Sequence, residues 1–326
     1  MIREQNFSKG PIFGPLVRFA LPILLALFLQ TMYGAVDMMV VGQFATAADV
    51  SAVSTASWLM QLVTSLVVGI AVGTTVLLGR KRGEGNAAES GKIVGASIAL
   101  FGFLGIALTV AMELLAVPLV KLMQTPPEAV GAAVAYMRIC SAGTVFIVAY
   151  NVLGSVFRGI GNSRIPLMAV AFACVFNIAG DYLLVGVFKM AAAGAAIATV
   201  AAQALSVLLS LLIIRRQKLP FALCKSDVKA DPARMGAVLR LGFPIALQDV
   251  LVGISFLAIT AIVNTLGVTI SAGVGVAEKL CGFIMLVPSA FSQAMSAFVA
   301  QNMGAKEPGR ARRGLVYGIA ASLAVS

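Results

Sequence analysis

Residues 16–41 read LVRFALPILLALFLQTMYGAVDMMVV, with only Arg18 and Asp37 charged. At 1.5 Å per helical residue the stretch covers about 39 Å, more than the roughly 30 Å of a bilayer's hydrocarbon. Its apolar positions do not alternate, and an open sheet edge cannot face lipid, so it reads as a membrane-spanning helix. It is too long for the core of a signal peptide, and no small-residue cleavage site follows it, so it reads as a retained span.

Similar apolar runs follow at about 52–79, 93–120, 130–157, 165–187, 191–214, 238–266 and 270–302, and a further one starts near 314. The fold class predicted is an all-α polytopic membrane protein. Composition agrees: of 326 residues, 60% are hydrophobic and 11% charged, with mean hydropathy +0.99. Soluble domains carry about 25% charged residues, so a water-soluble enzyme and a disordered chain are both excluded. There is no histidine. Cys140, Cys174 and Cys281 lie in apolar runs, Cys224 lies in a polar loop, and no CxxC pair exists. Neither a disulfide framework nor a zinc site is supported.

The net charge is +11, but topology accounts for it. Twenty of the 24 Lys and Arg fall in loops on one side, from Arg3 and Lys9 to Arg312 and Arg313. The opposite side has Lys121 and Lys189, and the spans hold Arg138 and Lys279. By the positive-inside rule the N-terminus and the polar segment 215–237 are cytoplasmic, and no nucleic-acid partner is expected.

The start of the first span, Arg18-Phe19-Ala20-Leu21-Pro22-Ile23, parallels the start of the seventh, Arg240-Leu241-Gly242-Phe243-Pro244-Ile245, at an offset of 222. Gly79 and Gly83 parallel Ala300 and Gly304 at 221. An even number of spans separates the copies, which predicts a parallel repeat about an axis along the membrane normal. The domains expected are a six-helix N-lobe at 1–216, a cytoplasmic linker at 217–237, and an incomplete second six-helix lobe at 238–326. The two lobes are related by a pseudo-two-fold. A repeated six-span unit needs twelve spans, so the chain is expected to be C-terminally truncated in its ninth.

Charged residues inside spans are costly and point to function. Here they are Asp37, Glu113, Arg138, Asp181, Asp249, Glu278 and Lys279. Asp37 lies about 31 Å along the first span and Asp181 about 24 Å along the fifth, while Thr199 is about 12 Å in from the far end of the sixth. All three fall in the outer half. Asn177 shares a helix face with Asp181, and Tyr33 shares one with Asp37, each at i, i+4. Two carboxyls at one depth with an amide, a phenol and a hydroxyl suit a proton or small cation, because a carboxyl out of water and near another favours its neutral form. Either aspartate alone also reads as a helix cap or a water-facing group.

Glu113 reads as interfacial, and structural ion pairs are expected at Arg138 and at Glu278–Lys279. Asp249, preceded by Gln248, has no direction assigned. Gln30 and Asn151 read either as interhelical hydrogen-bond partners or as cavity lining. Pro22 and Pro244 each remove a backbone hydrogen bond and read as kinks, moving or static.

In combination these stretches resemble the multidrug and toxic compound extrusion (MATE) transporters, of the prokaryotic type with its ion site in the N-lobe. Leu21-Pro22, Gln30 to Asp37, and Val41-Gly42 are similar to that family's first span. Arg158 to Arg164 is similar to its loop between spans four and five. Asn177-Ile178-Ala179-Gly180-Asp181 is similar to span five, Gly194 to Thr199 to span six, and Ala300 to Ala305 to the end of span eight.

The resemblance implies a secondary active antiporter exchanging H+ or Na+ for amphipathic, often cationic compounds in the cell inner membrane. It implies no enzyme activity, no cofactor beyond the coupling ion, and a monomer in a lipid bilayer. It also implies a proton or sodium site at Asp37, Asn177, Asp181 and Thr199, substrate contacts at Gln30, Tyr33 and Asn151, and a hinge at Pro22. A C-lobe sodium site is not implied, because the seventh span shows no acid around Val252. Two alternatives differ in class. A lipid-linked saccharide flippase of similar architecture is expected to line its cavity with arginines. An intramembrane aspartyl protease using Asp37 and Asp181 lacks its motifs here, since Val36 precedes Asp37 and Ile178 stands where a glycine is needed.

Overall fold

A computed structural model describes residues 5–216, 220–221, 223–264, 273–274, 277 and 280–325. The fold is all-helical among these residues. Helices α1 (Phe13–Phe44), α2 (Ala47–Gly83), α3 (Ala87–Leu122), α4 (Pro127–Ala142), α5 (Thr144–Gly159), α6 (Arg164–Asp181) and α7 (Ala191–Arg216) are followed by α8 (Pro232–Asn264), α9 (Leu286–Gly304) and α10 (Pro308–Val325). Among the described residues seven helices are long and apolar enough to cross a membrane, and the bent pair α4 and α5, taken as one span, brings the number to eight. Their outer faces expose large apolar side chains such as Phe103, Leu114, Phe172 and Val175. A water-facing surface does not carry apolar patches of this extent, whereas lipid covers them without cost.

Local sequence sets the helix ends. Thr46 and Asp49 form a reciprocal capping box at the start of α2, with Asp49 N–H donating to Thr46 Oγ1 at 3.2 Å and Thr46 N–H to Asp49 Oδ2 at 3.1 Å. Each bond satisfies a donor that the first helical turn leaves unpaired. Asn86 Oδ1 caps α3 by accepting from Glu89 N–H at 3.0 Å. Helices α1 and α8 run unbroken through Pro22 and Pro244.

The crossing expected at 130–157 is two helices meeting at 49°. The bend falls at Gly143, where a methyl group would collide with the Val200 side chain of α7. The glycine lets α7 press against the joint, and hydropathy alone carries no sign of it. A second irregularity follows α6, which passes at Asp181 into a π-helical segment, Tyr182–Val187. Such widened turns recur at functional sites, because they re-aim the residues beside them.

The chain's two halves meet through small residues. A side chain at Gly73 of α2 would strike the backbone of α8 at Val238, and one at Gly69 would strike Ala246. At the positions 221 or 222 further on or back, Ala290 and Ala294 of α9 share a buried cluster with Leu16 of α1, and Leu24 packs against it. Gly83 lies against the Gln301 carbonyl, and Gly304 lies against the Arg80 carbonyl. The contact is reciprocal, since Gly304 and Gln301 are Gly83 and Arg80 shifted by the repeat offset of 221.

This end of the bundle, where α1 begins and α2 and α9 finish, carries the basic loops and is closed by residues 5–11. Phe7 is 1% exposed and packs edge-on against Phe19 and at a tilt against Phe298, at ring-centroid distances of 5.1 and 5.3 Å. Its N–H donates to Gln301 Oε1 at 3.3 Å, and Gln301 Nε2 donates to the Gly159 carbonyl at 3.1 Å. The Arg310 guanidinium donates to the carbonyls of Phe7 (2.8 Å), Gly10 (2.7 Å) and Lys9 (3.2 Å). After α7, the linker packs the Asp227 carbonyl against Gly95 of α3. Arg234 then grips Glu89 with two bonds, at 2.8 and 3.2 Å.

Candidate ion site and central cavity

Three helices assemble the predicted acidic cluster in the half of the bundle away from the basic end. Asp37 comes from α1, Asn177 and Asp181 from α6, and Thr199 from α7. Gly180 lets α7 approach closely here, since a Cβ on it would stand 3.1 Å from Ala198 Cβ. Thr199 Oγ1 donates to Asp37 Oδ2 at 3.1 Å, and Asn177 Nδ2 reaches Thr199 Oγ1 at 3.5 Å. The Asp181 carboxyl adjoins that of Asp37 in the same cluster, with no hydrogen bond between them. Asp37 is 5% exposed, and Asn177 and Asp181 are fully buried.

Four oxygens in this cluster are buried without a hydrogen-bond partner: Asp37 Oδ1, Asn177 Oδ1 and both carboxyl oxygens of Asp181. Buried acceptors are almost always satisfied, because desolvating one without a partner costs about 1–3 kcal/mol. A proton supplies a donor to such a group. An all-oxygen set also matches the ligands that hard cations take.

Beside the cluster lies a cavity of ≈ 730 Å³. Its volume is in the range of pockets that hold drug-sized compounds, about 300–1,000 Å³. Gln30, Tyr33 and Asn151 line it, as expected, and so does Asp37, which joins cluster to cavity. Asp181 and Asn177 do not line it. Hydrogen bonds hold the polar walls in place: Gln203 Nε2 to Tyr33 OH at 3.2 Å, Gln30 Nε2 to Tyr150 OH at 3.3 Å, and Ser57 Oγ to Tyr136 OH at 3.1 Å. Asn151 Nδ2 is turned back to the Ile147 carbonyl at 2.8 Å. Among the described lining residues the charged side chains are Asp37 and Asp249, with no Lys or Arg.

Several lining residues were not anticipated. Gln203 was legible as i+4 of Thr199. On α9, Ser289, Ser292, Gln293 and Ser296 stand at i, i+3, i+4 and i+7, a polar stripe on one helical face turned to the cavity. Asp249 and Gln248 face the cavity from α8, which settles the direction the sequence left open.

Arg158 departs from the loop position expected for it. It lies in the last turn of α5, half-buried, lining a small void of ≈ 50 Å³ towards the basic end that shares Gln30, Tyr150, Asn151 and Gln293 with the cavity wall. The apolar run ends one residue earlier, but the helix continues to Gly159 and carries the guanidinium inward. Arg138, exposed, pairs with the half-buried Glu113 at 3.9 Å. Glu278 and Lys279 lie outside the described residues.

A bundle of membrane-spanning helices around a polar cavity, with a buried carboxylate pair at its edge, has the architecture of a membrane transporter. The family profile described as MatE matches residues 22–183 and 244–326, and the chain belongs to that family of multidrug and toxic compound extrusion transporters. It is 29% identical over 304 residues to the probable multidrug resistance protein YpnP of Bacillus subtilis, covering 93% of this chain and 68% of that one. It is 26% identical over 322 residues to the FAD transporter of Shewanella oneidensis, covering 97% and 71%. A crystal structure of MATE in the straight conformation superposes with a TM-score of 0.88 at 22% identity, covering 98% of this chain and 73% of that one.

Proposed function

We propose that this protein is an ion-coupled exporter of amphipathic, often cationic compounds that works by alternating access, with its N-terminus in the cytoplasm of the cell that carries it. The observation that carries the reading is the group of four unpartnered buried oxygens around Asp37 and Asp181, one of whose residues also forms cavity wall. The coupling ion, H+ or Na+, is cargo of this cluster. Entry of the ion gives this group of oxygens a partner and lowers the net negative charge at the junction of α1, α6 and α7.

That change biases α1, which supplies both Asp37 to the cluster and Gln30 and Tyr33 to the cavity. Pro22 lacks the N–H that would hold α1 straight, so bending there is the expected response. The compound then loses its contacts with Gln30, Tyr33 and Asn151 and leaves outward. The lobes at 1–216 and 238–326 rock about the linker at 217–237, and the reciprocal Gly83/Gln301 and Gly304/Arg80 contacts support a two-fold relation between them. A lining with two carboxylates and no described base favours cations over the anionic cargo named for the FAD transporter or a lipid-linked saccharide.

The test is efflux of a cationic dye from vesicles containing the protein, driven by an imposed proton or sodium gradient. Asp37→Asn and Asp181→Asn are each expected to abolish gradient-driven efflux. Wild-type efflux in both variants overturns the site.

A further inference from the structure

The two carboxylates of the cavity differ in their surroundings. Asp37 is nearly fully buried, and its Oδ2 is already held by Thr199. What reaches its remaining oxygen must be small. Asp249 is exposed to the cavity, and no hydrogen bond or ion pair to a described residue holds its carboxylate. Gln248, Ser292 and Gln293, which line the cavity with it from α8 and α9, are neutral, and the basic Arg158 lines the adjoining void that Gln293 shares.

The repeat separates the two acids further. With the offset of 222, Asp249 is the counterpart of Leu27, which also lines the cavity, while Asp37 lies ten residues beyond Leu27. Ten helical residues are about 15 Å. The acid of the second half therefore stands about 15 Å nearer the basic end than the acid of the first, by the same measure of helix rise. A single small ion does not bridge two carboxylates at that spacing.

Resting on the transporter reading above, we propose that Asp249 is the specificity-determining residue that binds the cationic group of the transported compound, while the Asp37–Asp181 cluster binds only the coupling ion. Substrate charge and coupling charge are then held by different halves of the chain. Tyr33, Tyr136 and Tyr150 on the facing walls offer aromatic surface to the apolar body of the compound. In a cavity partly screened from water, one carboxylate gives a monovalent cation an advantage that a neutral compound of the same shape does not receive.

The experiment compares binding of tetraphenylphosphonium and of uncharged triphenylphosphine oxide to the purified full chain, by equilibrium dialysis. Asp249→Asn is expected to weaken tetraphenylphosphonium about tenfold or more, leave triphenylphosphine oxide within about twofold, and be rescued by Asp249→Glu. Asp249→Ser replaces the Asn variant if that variant does not fold. Unchanged binding of the cation, or equal loss of both compounds, overturns the assignment of Asp249 and leaves the ion site standing. If the unaltered protein binds neither compound, the exporter reading falls, and this proposal falls with it.

Discussion

The hydroxyl of Thr199 donates a 3.1 Å hydrogen bond to Asp37 Oδ2 across 162 residues of sequence. It is the one satisfied end of a carboxylate whose other oxygen is buried without a partner. Thr199→Val keeps the shape and removes the donor. Leaving a buried acceptor unpaired costs about 1–3 kcal/mol, so the variant is expected to melt lower in detergent. It is also expected to lose the stabilisation that added Na+, or a lower pH, gives the unaltered protein. Equal melting and equal ion response in the two proteins would show that the bond contributes nothing.

Gly83 and Gly304 each face a carbonyl of the opposite half. Gly83→Ala or Gly304→Ala forces α2 and α9 apart and is expected to cost about 1–3 kcal/mol, the range for overpacking a tight contact. Gly131 of α4 is the control, because a Cβ there meets nothing within 4 Å. Gly131→Ala is expected to be neutral or stabilising by up to about 1 kcal/mol through helix propensity. Thermal unfolding of the three variants side by side decides it.

Arg310 holds residues 7–10 by a fork of carbonyl contacts. Lysine offers a point charge without that planar fork. Arg310→Lys is therefore expected to release the segment nearly as fully as Arg310→Ala. Faster protease cleavage within residues 5–11 in both variants, at unchanged overall fold, is the measurement.

Asp231 precedes Pro232 and caps α8. Its Oδ1 accepts the backbone N–H of Arg234 at 3.1 Å and that of Ala233 at 3.0 Å. The Arg234 backbone bond foremost, helped by the charge of that residue, holds the Asp231 carboxyl below the usual aspartate range. A lowered native value means the cap is at full strength at neutral pH. It weakens only as pH falls below the ordinary aspartate value, about 3.9, and through the lowered one. Amide exchange at Ala233 and Arg234, corrected for intrinsic rates, should accelerate below that point, and Asp231→Ala should show the fast rate at all pH.

The spans were legible because twenty apolar residues in a row have few other uses. Depth along a helix was legible too, which is why Asp37, Asp181 and Thr199 could be matched from residue counts alone. Rotation about a helix axis was not. When lipid and protein interior are both apolar, hydropathy does not say which face points where. Asp249 kept no direction until α8 was placed, and Arg158 read as a loop residue although its helix carries it inward. The bend at Gly143 depends on Val200 pressing from another helix, a tertiary fact with no local trace. The stripe at Ser289, Ser292, Gln293 and Ser296 was written in the sequence at helical spacing, hidden by the apolar residues between.

The segment around Phe7 touches α1 of the first half and α9 and α10 of the second at once, with Gln301 carrying the tie on to α5. Parting the halves at that end breaks these bonds together, since none can stretch by more than a fraction of an ångström and survive. Such a fastening has two positions, latched and free, and few stable ones between. This end of the bundle would then part by a discrete step with its own waiting time, set by a short N-terminal segment.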